Sequence, residues 1–408
     1  MHGTRGGHGL RSARAALGAA LLFVGACTAQ IGQVTPSEAG PEGPPPTDGS
    51  TPIPDGLTSK AELLWKSSQS HLSQVHGLAA VGTTLYVSAD TGLYLYVLGS
   101  TLQTRCSAQS GGTATPIMAP ATLDSSGNAY FARAAQQCLS SIDSGCNPRW
   151  NINGLYYFDC KAASDTQPVL VSGGSQVVVA TASDGSSNAH IWGVSAADGS
   201  EAWHETLASH SVTRSLAAAP DDTIYVGTIS GGIGILYTLS PTATTPTELF
   251  KAAEFHAPGL VTTGGAFVIG DWNKNLHAVS SSGTSVWKGS VGGRVVSAPV
   301  ESGGVVLVAG SLFGIYTHDV QGSGSLWTFK NTKIHFSGVA VDASGTAYVG
   351  SAGDCAGGSS GGCVFAVKGG QMVWAYETER PVEATPLVHD GVVIVGDEGG
   401  SLYGLKAQ

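Results

Sequence analysis

The chain has 408 residues, 58 of them Gly, with 12 % charged residues and a formal net charge of −10. Sparse charge and abundant Gly exclude a protein built on amphipathic helices, which need Lys and Glu on their outer faces, and favour short strands joined by tight turns. The acidic balance disfavours nucleic acid and anionic lipid head groups as partners.

The N-terminal segment stands apart. Arg5, Arg11 and Arg14 precede the apolar run "AALGAALLFVGA", which stops at Cys27. A basic stretch followed by an apolar run too short to span a bilayer predicts a secretory leader over residues 1–26. The ending Val24-Gly25-Ala26-Cys27 resembles the lipobox of bacterial lipoproteins, and the resemblance implies lipidation of Cys27. An ordinary leader with an incidental Cys is the competing reading. Thr28 stands where that family carries Asp for inner-membrane retention, so the resemblance implies the outer membrane, at its periplasmic or its outer face. Residues 27–58 are rich in Pro, Gly, Ser and Thr and carry too few bulky apolar side chains to fold; they are expected to form a tether. Of the 19 basic residues three lie in the leader, leaving 16 against 29 acidic ones and a formal charge of −13.

Six further cysteines, an even number in an exported chain, suit three disulfides. Cys355 and Cys363 bracket a short Gly/Ser loop and are expected to pair. Cys106, Cys138, Cys146 and Cys160 allow three connectivities, of which Cys138–Cys146 with Cys106–Cys160 is the expected one.

From residue 59 to 408 the chain repeats itself. Four Trp residues follow a Gly by three or four positions, at "GSEAW" (Trp203), "GTSVW" (Trp287), "GSLW" (Trp327) and "GQMVW" (Trp374), with Phe250 holding the same place in "TELFKA". Successive steps along Trp203, Phe250, Trp287, Trp327 and Trp374 are 47, 37, 40 and 47 residues. Each unit carries an apolar strand, a β-branched run ending in Gly such as "IYVGT" or "VIVGDE", a third strand, then the turn and its outer strand. Four short antiparallel strands per period of about forty predict propeller blades. The Trp is read as a wedge between blades and its Gly as the positive-φ residue of a hairpin. Eight units begin near Val75, Pro116, Pro168, Val212, Phe255, Val295, Ile334 and Val382. The second lacks a clear Trp in register, since Trp150 lies in an inserted loop, and a seven-bladed ring is therefore the alternative count. The last ends after three strands, and "AELLWKS" around Trp65 is expected to supply its fourth, closing the ring and removing two exposed sheet edges.

"TIYVGTISGGIGILYTLS", "AFVIGDWNKNLHAVSSSGTSVW" and "VVIVGDEGGSLYGLK" resemble the PQQ-type repeat over roughly residues 60–408. Quinoprotein dehydrogenases and non-enzymatic outer-membrane lipoproteins of the BamB type share that repeat. A lipobox, a tether and eight units are most similar to the second group, which implies an all-β, eight-bladed propeller acting as a monomeric, non-catalytic scaffold in outer-membrane protein assembly. The alternatives are a propeller that binds a small ligand or glycan, and a quinoprotein. The dehydrogenases carry adjacent cysteines against their quinone, and this chain has no Cys-Cys pair.

No catalytic constellation emerges. Gly357-Gly358-Ser359-Ser360-Gly361 matches a nucleophile elbow in form only, because it lacks the strand-to-helix setting. Asp184-Gly185-Ser186-Ser187-Asn188 has too few carboxylates for a cation loop, and the scattered His residues give no metal-ligand spacing. Neither metal nor cofactor is assigned. Nine of the 16 basic residues fall in or beside the connectors from an outer strand to the next inner strand: Lys66, Arg105, Arg214, Lys251, Lys288, Arg294, Lys330, Lys333 and Arg380. The competing reading is that loops hold the charges because strands are buried. The functional reading is a locally positive mouth that docks an acidic loop of a partner, with Arg214, His256, Arg294, Lys333, His335 and Arg380 as its contact residues.

Overall fold

The computed structural model describes residues 61–69, 71–108, 116–134, 138–152, 156–310, 314–321, 324–331, 336–356 and 361–408. The expected leader, Cys27 and tether lie outside these residues, as do Lys333 and His335. The described residues form eight antiparallel sheets, seven of four strands and one of three. They stack as the eight blades of a propeller, in which each twisted sheet buries both faces against its neighbours. Blade 5 shows the regular plan, running from Leu260–Val261 through Phe267–Gly270 and Asn275–Val279 to the outer strand Ser285–Ser290. Blade 8 closes the ring. Its inner three strands, Leu387–His389, Val392–Gly396 and Ser401–Lys406, are completed by Leu63–Ser68, with Trp65 opposite Gly404. Trp65 then packs among Leu85, Val87, Tyr94 and Tyr96 of blade 1, so the first strand joins the two ends of the ring.

The recurrent "VG" at the end of the second strand has a packing cause. A Cβ at Gly396 would sit 2.7 Å from the Cγ1 of Val75, and Gly270 and Gly350 receive Val295 and Val382 in the same way. The residue that opens each following unit thus packs directly onto the backbone of the preceding blade, which only Gly permits.

The Gly before each Trp also proves to have two roles. Gly199, Gly283 and Gly370 adopt φ of 76°, 82° and 81°, as a tight hairpin requires. Gly199 and Gly370 are also where the preceding blade's wedge lands, whereas Gly283 packs on Leu249, the residue before the wedge Phe250. A Cβ at Gly199 would overlap the Trp150 ring at 2.6 Å, and one at Gly370 would lie 3.3 Å from the Trp327 Cβ. A β-bulge precedes the wedge residue in the outer strand, as between Ser285 and Trp287 or Met372 and Trp374. It turns the ring inward and leaves the preceding residue in solvent, at Leu64 and Val286 for example.

Blade 2 departs from the plan in three ways. Its strands are Thr122–Leu123, Ala129–Ala132 and Leu139–Ile142, and the outer position holds only isolated bridges from Leu139 to Phe158 and from Ile142 to Pro148. Trp150 lies, as expected, in the irregular segment after the third strand, but it is not a solvated loop residue. It is 1 % exposed, and its Nε1 donates to the Ala196 carbonyl at 3.2 Å, as Trp287 Nε1 donates to Val320 at 3.0 Å. Both acceptors directly follow the third strand of the next blade, so Trp150 is the wedge the second unit was expected to lack. The disulfides also differ from the expected set. Cys106 pairs with Cys146 and Cys138 with Cys160, while Cys355–Cys363 is as expected. Cys106 lies on the outer strand of blade 1, Gln103–Ala108, and Cys146 in the turn after the third strand of blade 2, so this bridge spans two blades. Spacing alone carried no such information.

Candidate functional site

Antiparallel blades place every outer-to-inner connector, and every turn between second and third strands, at one end of the ring. The expected contact residues fall at this end through two separate groups. The first joins blades 3 to 6. Trp272 stands in the second turn of blade 5, where its N–H donates to the Glu254 carbonyl at 2.9 Å. The His256 ring centre lies 4.2 Å from that of Trp272, and the Arg294 guanidinium carbon 4.0 Å from it. The Arg294 contact is a cation–π pairing, worth about 0.5–2 kcal/mol depending on how far the cation is desolvated. His256 Nε2 is 2.8 Å from a Glu254 carboxylate oxygen.

Arg214 adjoins this group through Asp165. Its Nε is 3.7 Å from one Asp165 oxygen and its backbone N–H donates to the other at 3.3 Å. That backbone contact is made from φ 61°, an uncommon conformation for a side chain larger than Gly. Burial pushes the Asp165 carboxyl up from its ordinary value, opposed by the positive charges of Arg214 and His256. An acid held inside a cluster of cations is the most structured charge arrangement at this end.

Arg380 belongs to a second group, between blades 7 and 8. Its stem crosses Gly399, where an added Cβ would lie 2.9 Å from the Arg380 Cγ. Beside it, Glu398 donates its N–H to the Pro381 carbonyl at 2.9 Å. Burial, the neighbouring Glu383 and then Asp397 push the Glu398 carboxyl up to about 7, with Arg380 pulling it down. Glu383 accepts a hydrogen bond from Gln74 at 2.9 Å, which ties this group to blade 1 across the closure.

The mouth is therefore a mosaic of cations and acids rather than a uniform positive field. Arg214 and His256 have carboxylate partners, and Arg294 makes no ion pair among the described residues. The acids were not visible from sequence because Asp165 lies 49 residues before Arg214. Trp272 was missed too, although its counterparts in "TISGG" and "GDEGG" are Ile229 and Glu398, neither of them aromatic. Among the described residues no group of three or more His, Cys, Asp or Glu is arranged around a metal position, and no helix is long and apolar enough to cross a membrane.

Comparison with known proteins bears on the fold. The sequence model of the family described as outer membrane protein assembly factor BamB matches residues 313–408. Comparison with curated proteins gave no significant match. Among solved structures, BamB from Moraxella catarrhalis is similar at a TM-score of 0.64 and 12 % identity, over 86 % of this chain and 98 % of that one. The computationally designed Ika8 protein matches at 0.64 and 13 %, over 84 % and 99 %. The C-terminal WD40 domain of Sif2 matches at 0.65 and 11 %, over 86 % and 100 %. A designed protein and a WD40 domain fit as well as BamB does, so shape alone carries the fold and not the role. Its own repeats, its eight blades and the match over its C-terminal quarter make the chain a β-propeller of PQQ-like repeats that resembles BamB.

Proposed function

We propose that the chain is a non-catalytic scaffold, lipid-anchored through Cys27 and carried on the tether 27–58, that docks a protein partner at the outer membrane in support of outer-membrane protein assembly. The observation that carries this reading is Arg294, an exposed guanidinium held on the face of Trp272, with His256 and the Arg214–Asp165 pair beside it. An aromatic platform presenting a fork-shaped cation suits capture of a carboxylate on an acidic loop. Arg380, Lys333 and His335 complete the proposed contact set. The rigid ring is the support that such loops need. Nothing in the group supplies a nucleophile with an adjacent base, so docking accounts for it better than catalysis does.

Crosslinking capture from outer membranes tests the reading, comparing the wild-type chain with an Arg214→Glu, Arg294→Glu, Arg380→Glu variant of matched unfolding midpoint. Reversing three cations should weaken partner capture about tenfold or more, because like charges then face each other across the contact. Equal capture by both chains would overturn it.

A further inference from the structure

Blade 3 holds a second group of polar side chains, on its two outer strands and in the turn before them, unused by the docking reading. Its third strand, Asn188–Ser195, and outer strand, Glu201–Ala208, pair so that His190 lies opposite Thr206 and Trp192 opposite His204. His190 Nδ1 is 3.0 Å from His204 Nε2, and the Thr206 hydroxyl is 3.3 Å from each of those nitrogens. Three donor atoms thus form a nearly equilateral triangle. Ligands that share one metal at bonds of roughly 2.0–2.1 Å, with angles between square and tetrahedral, stand roughly 2.9–3.4 Å apart. All three edges fall in that range, and the short one between the imidazoles corresponds to the near-right angle of a tetragonal site.

The surroundings are built in the same sense. His190 is 6 % exposed, and its other nitrogen, Nε2, lies 3.0 Å from the Asp184 carboxylate. Asp184 is itself fixed by the backbone N–H groups of Ser186 and Asn188. A carboxylate accepting from one imidazole nitrogen leaves the lone pair of the other free, which is the arrangement commonly found behind metal-bound histidines. His204 stacks on Trp192 with ring centres 3.6 Å apart and planes 5° from parallel, so its orientation is set by packing. Thr206 is exposed, which leaves the triangle open to solvent.

We infer that His190, His204 and Thr206 form a binding site for a divalent transition metal of tetragonal preference, Cu2+ above all, oriented by Asp184. In the metal-free chain the two imidazoles share a hydrogen bond. On binding, neutral His204 carries its proton on Nδ1 and turns the Nε2 lone pair to the metal, so no proton need be released. Solvent fills the remaining positions. The affinity order of first-row metals places Cu2+ above Zn2+ at such a site.

The test is titration of the full chain with Cu2+ against a competing chelator, read by electron paramagnetic resonance. All chains carry His2→Ala and His8→Ala so that N-terminal imidazoles do not contribute. One Cu2+ per chain with a tetragonal, two-nitrogen signal is expected. His204→Ala should weaken binding about a hundredfold and Asp184→Asn about tenfold, while His210→Ala, at a separate histidine, should change nothing. His204 is half-buried, so its variant is expected to fold, and an unchanged unfolding midpoint without metal verifies this. Undiminished uptake by His204→Ala, tighter Zn2+ than Cu2+ binding, or no stoichiometric uptake by the wild-type chain would each overturn the assignment. None of these outcomes bears on partner capture at the mouth.

Discussion

Blades 2 and 5 do the same job with different means. In blade 5 four paired strands carry Trp287 to the carbonyl of Val320, and the repeat is legible along the whole unit. In blade 2 the outer ladder is reduced to two bridges, yet Trp150 reaches the equivalent carbonyl of Ala196. What replaces the ladder is covalent. Cys138–Cys160 lies within the blade's buried cluster, beside Trp150 and Phe158, and Cys106–Cys146 ties the blade to its predecessor. The wedge is the element the ring cannot spare, and the scaffold that delivers it is negotiable.

If so, the bridge between blades should matter most. Cys106–Cys146 spans 40 residues, and by the entropy of loop closure its loss costs about 4 kcal/mol, against about 2.5 kcal/mol for the eight-residue Cys355–Cys363 loop. Cys106→Ser with Cys146→Ser should therefore lower the unfolding midpoint more than Cys355→Ser with Cys363→Ser. Equal shifts would mean that the regular part of the chain already holds blade 2 in place.

A smaller effect tests whether the wedges are equivalent. Trp150→Phe and Trp287→Phe each remove ring volume and one indole hydrogen bond, at about 2 kcal/mol apiece. Chemical denaturation should give matching costs within about 0.5 kcal/mol. A cost confined to Trp287 would make Trp150 a passenger of its disulfides.

The same contrast explains what the sequence could and could not reveal. The hairpin Gly and the bulky ring after it are local, and "VG" marks the place where the next blade lands, so strand order and the closure through Trp65 were legible, while the irregular second unit left seven or eight blades open. Trp150 was not, because the chain between Ile142 and Phe158 keeps no strand period from which its register could be counted. Disulfide partners and the carboxylate behind Arg214 depend on which turns the ring brings side by side. His190 and His204 are 14 residues apart and meet only through antiparallel pairing. Those facts belong to tertiary structure, and no spacing rule encodes them.

The smallest expected effect concerns the turns rather than the wedges. Asp271 of blade 5 accepts the Asn275 N–H at 2.8 Å and lies 2.9 Å from His277 Nε2, and Asp124 of blade 2 accepts the Ser126 and Asn128 N–H groups at 2.9 Å and the Tyr130 hydroxyl at 3.2 Å. At both, burial acts to raise the carboxyl pKa, but the hydrogen bonds outweigh it and the net shift is downward. A carboxylate whose folded pKa is depressed stabilises the fold above its ordinary value near 4, and that contribution fades as pH falls through this value toward the lower folded one. Asp271→Asn and Asp124→Asn should each destabilise the chain at pH 7, with the deficit relative to wild type shrinking between pH 5 and pH 3. Blade 2 carries a second lowered carboxylate of this kind, Asp143, held chiefly by the Asn147 side chain. Single loss of Asp124 should therefore leave more acid sensitivity in its blade than loss of Asp271 leaves in blade 5. Unfolding midpoints followed across that pH range decide it, and a deficit independent of pH would show that these turns are held by shape and not by charge.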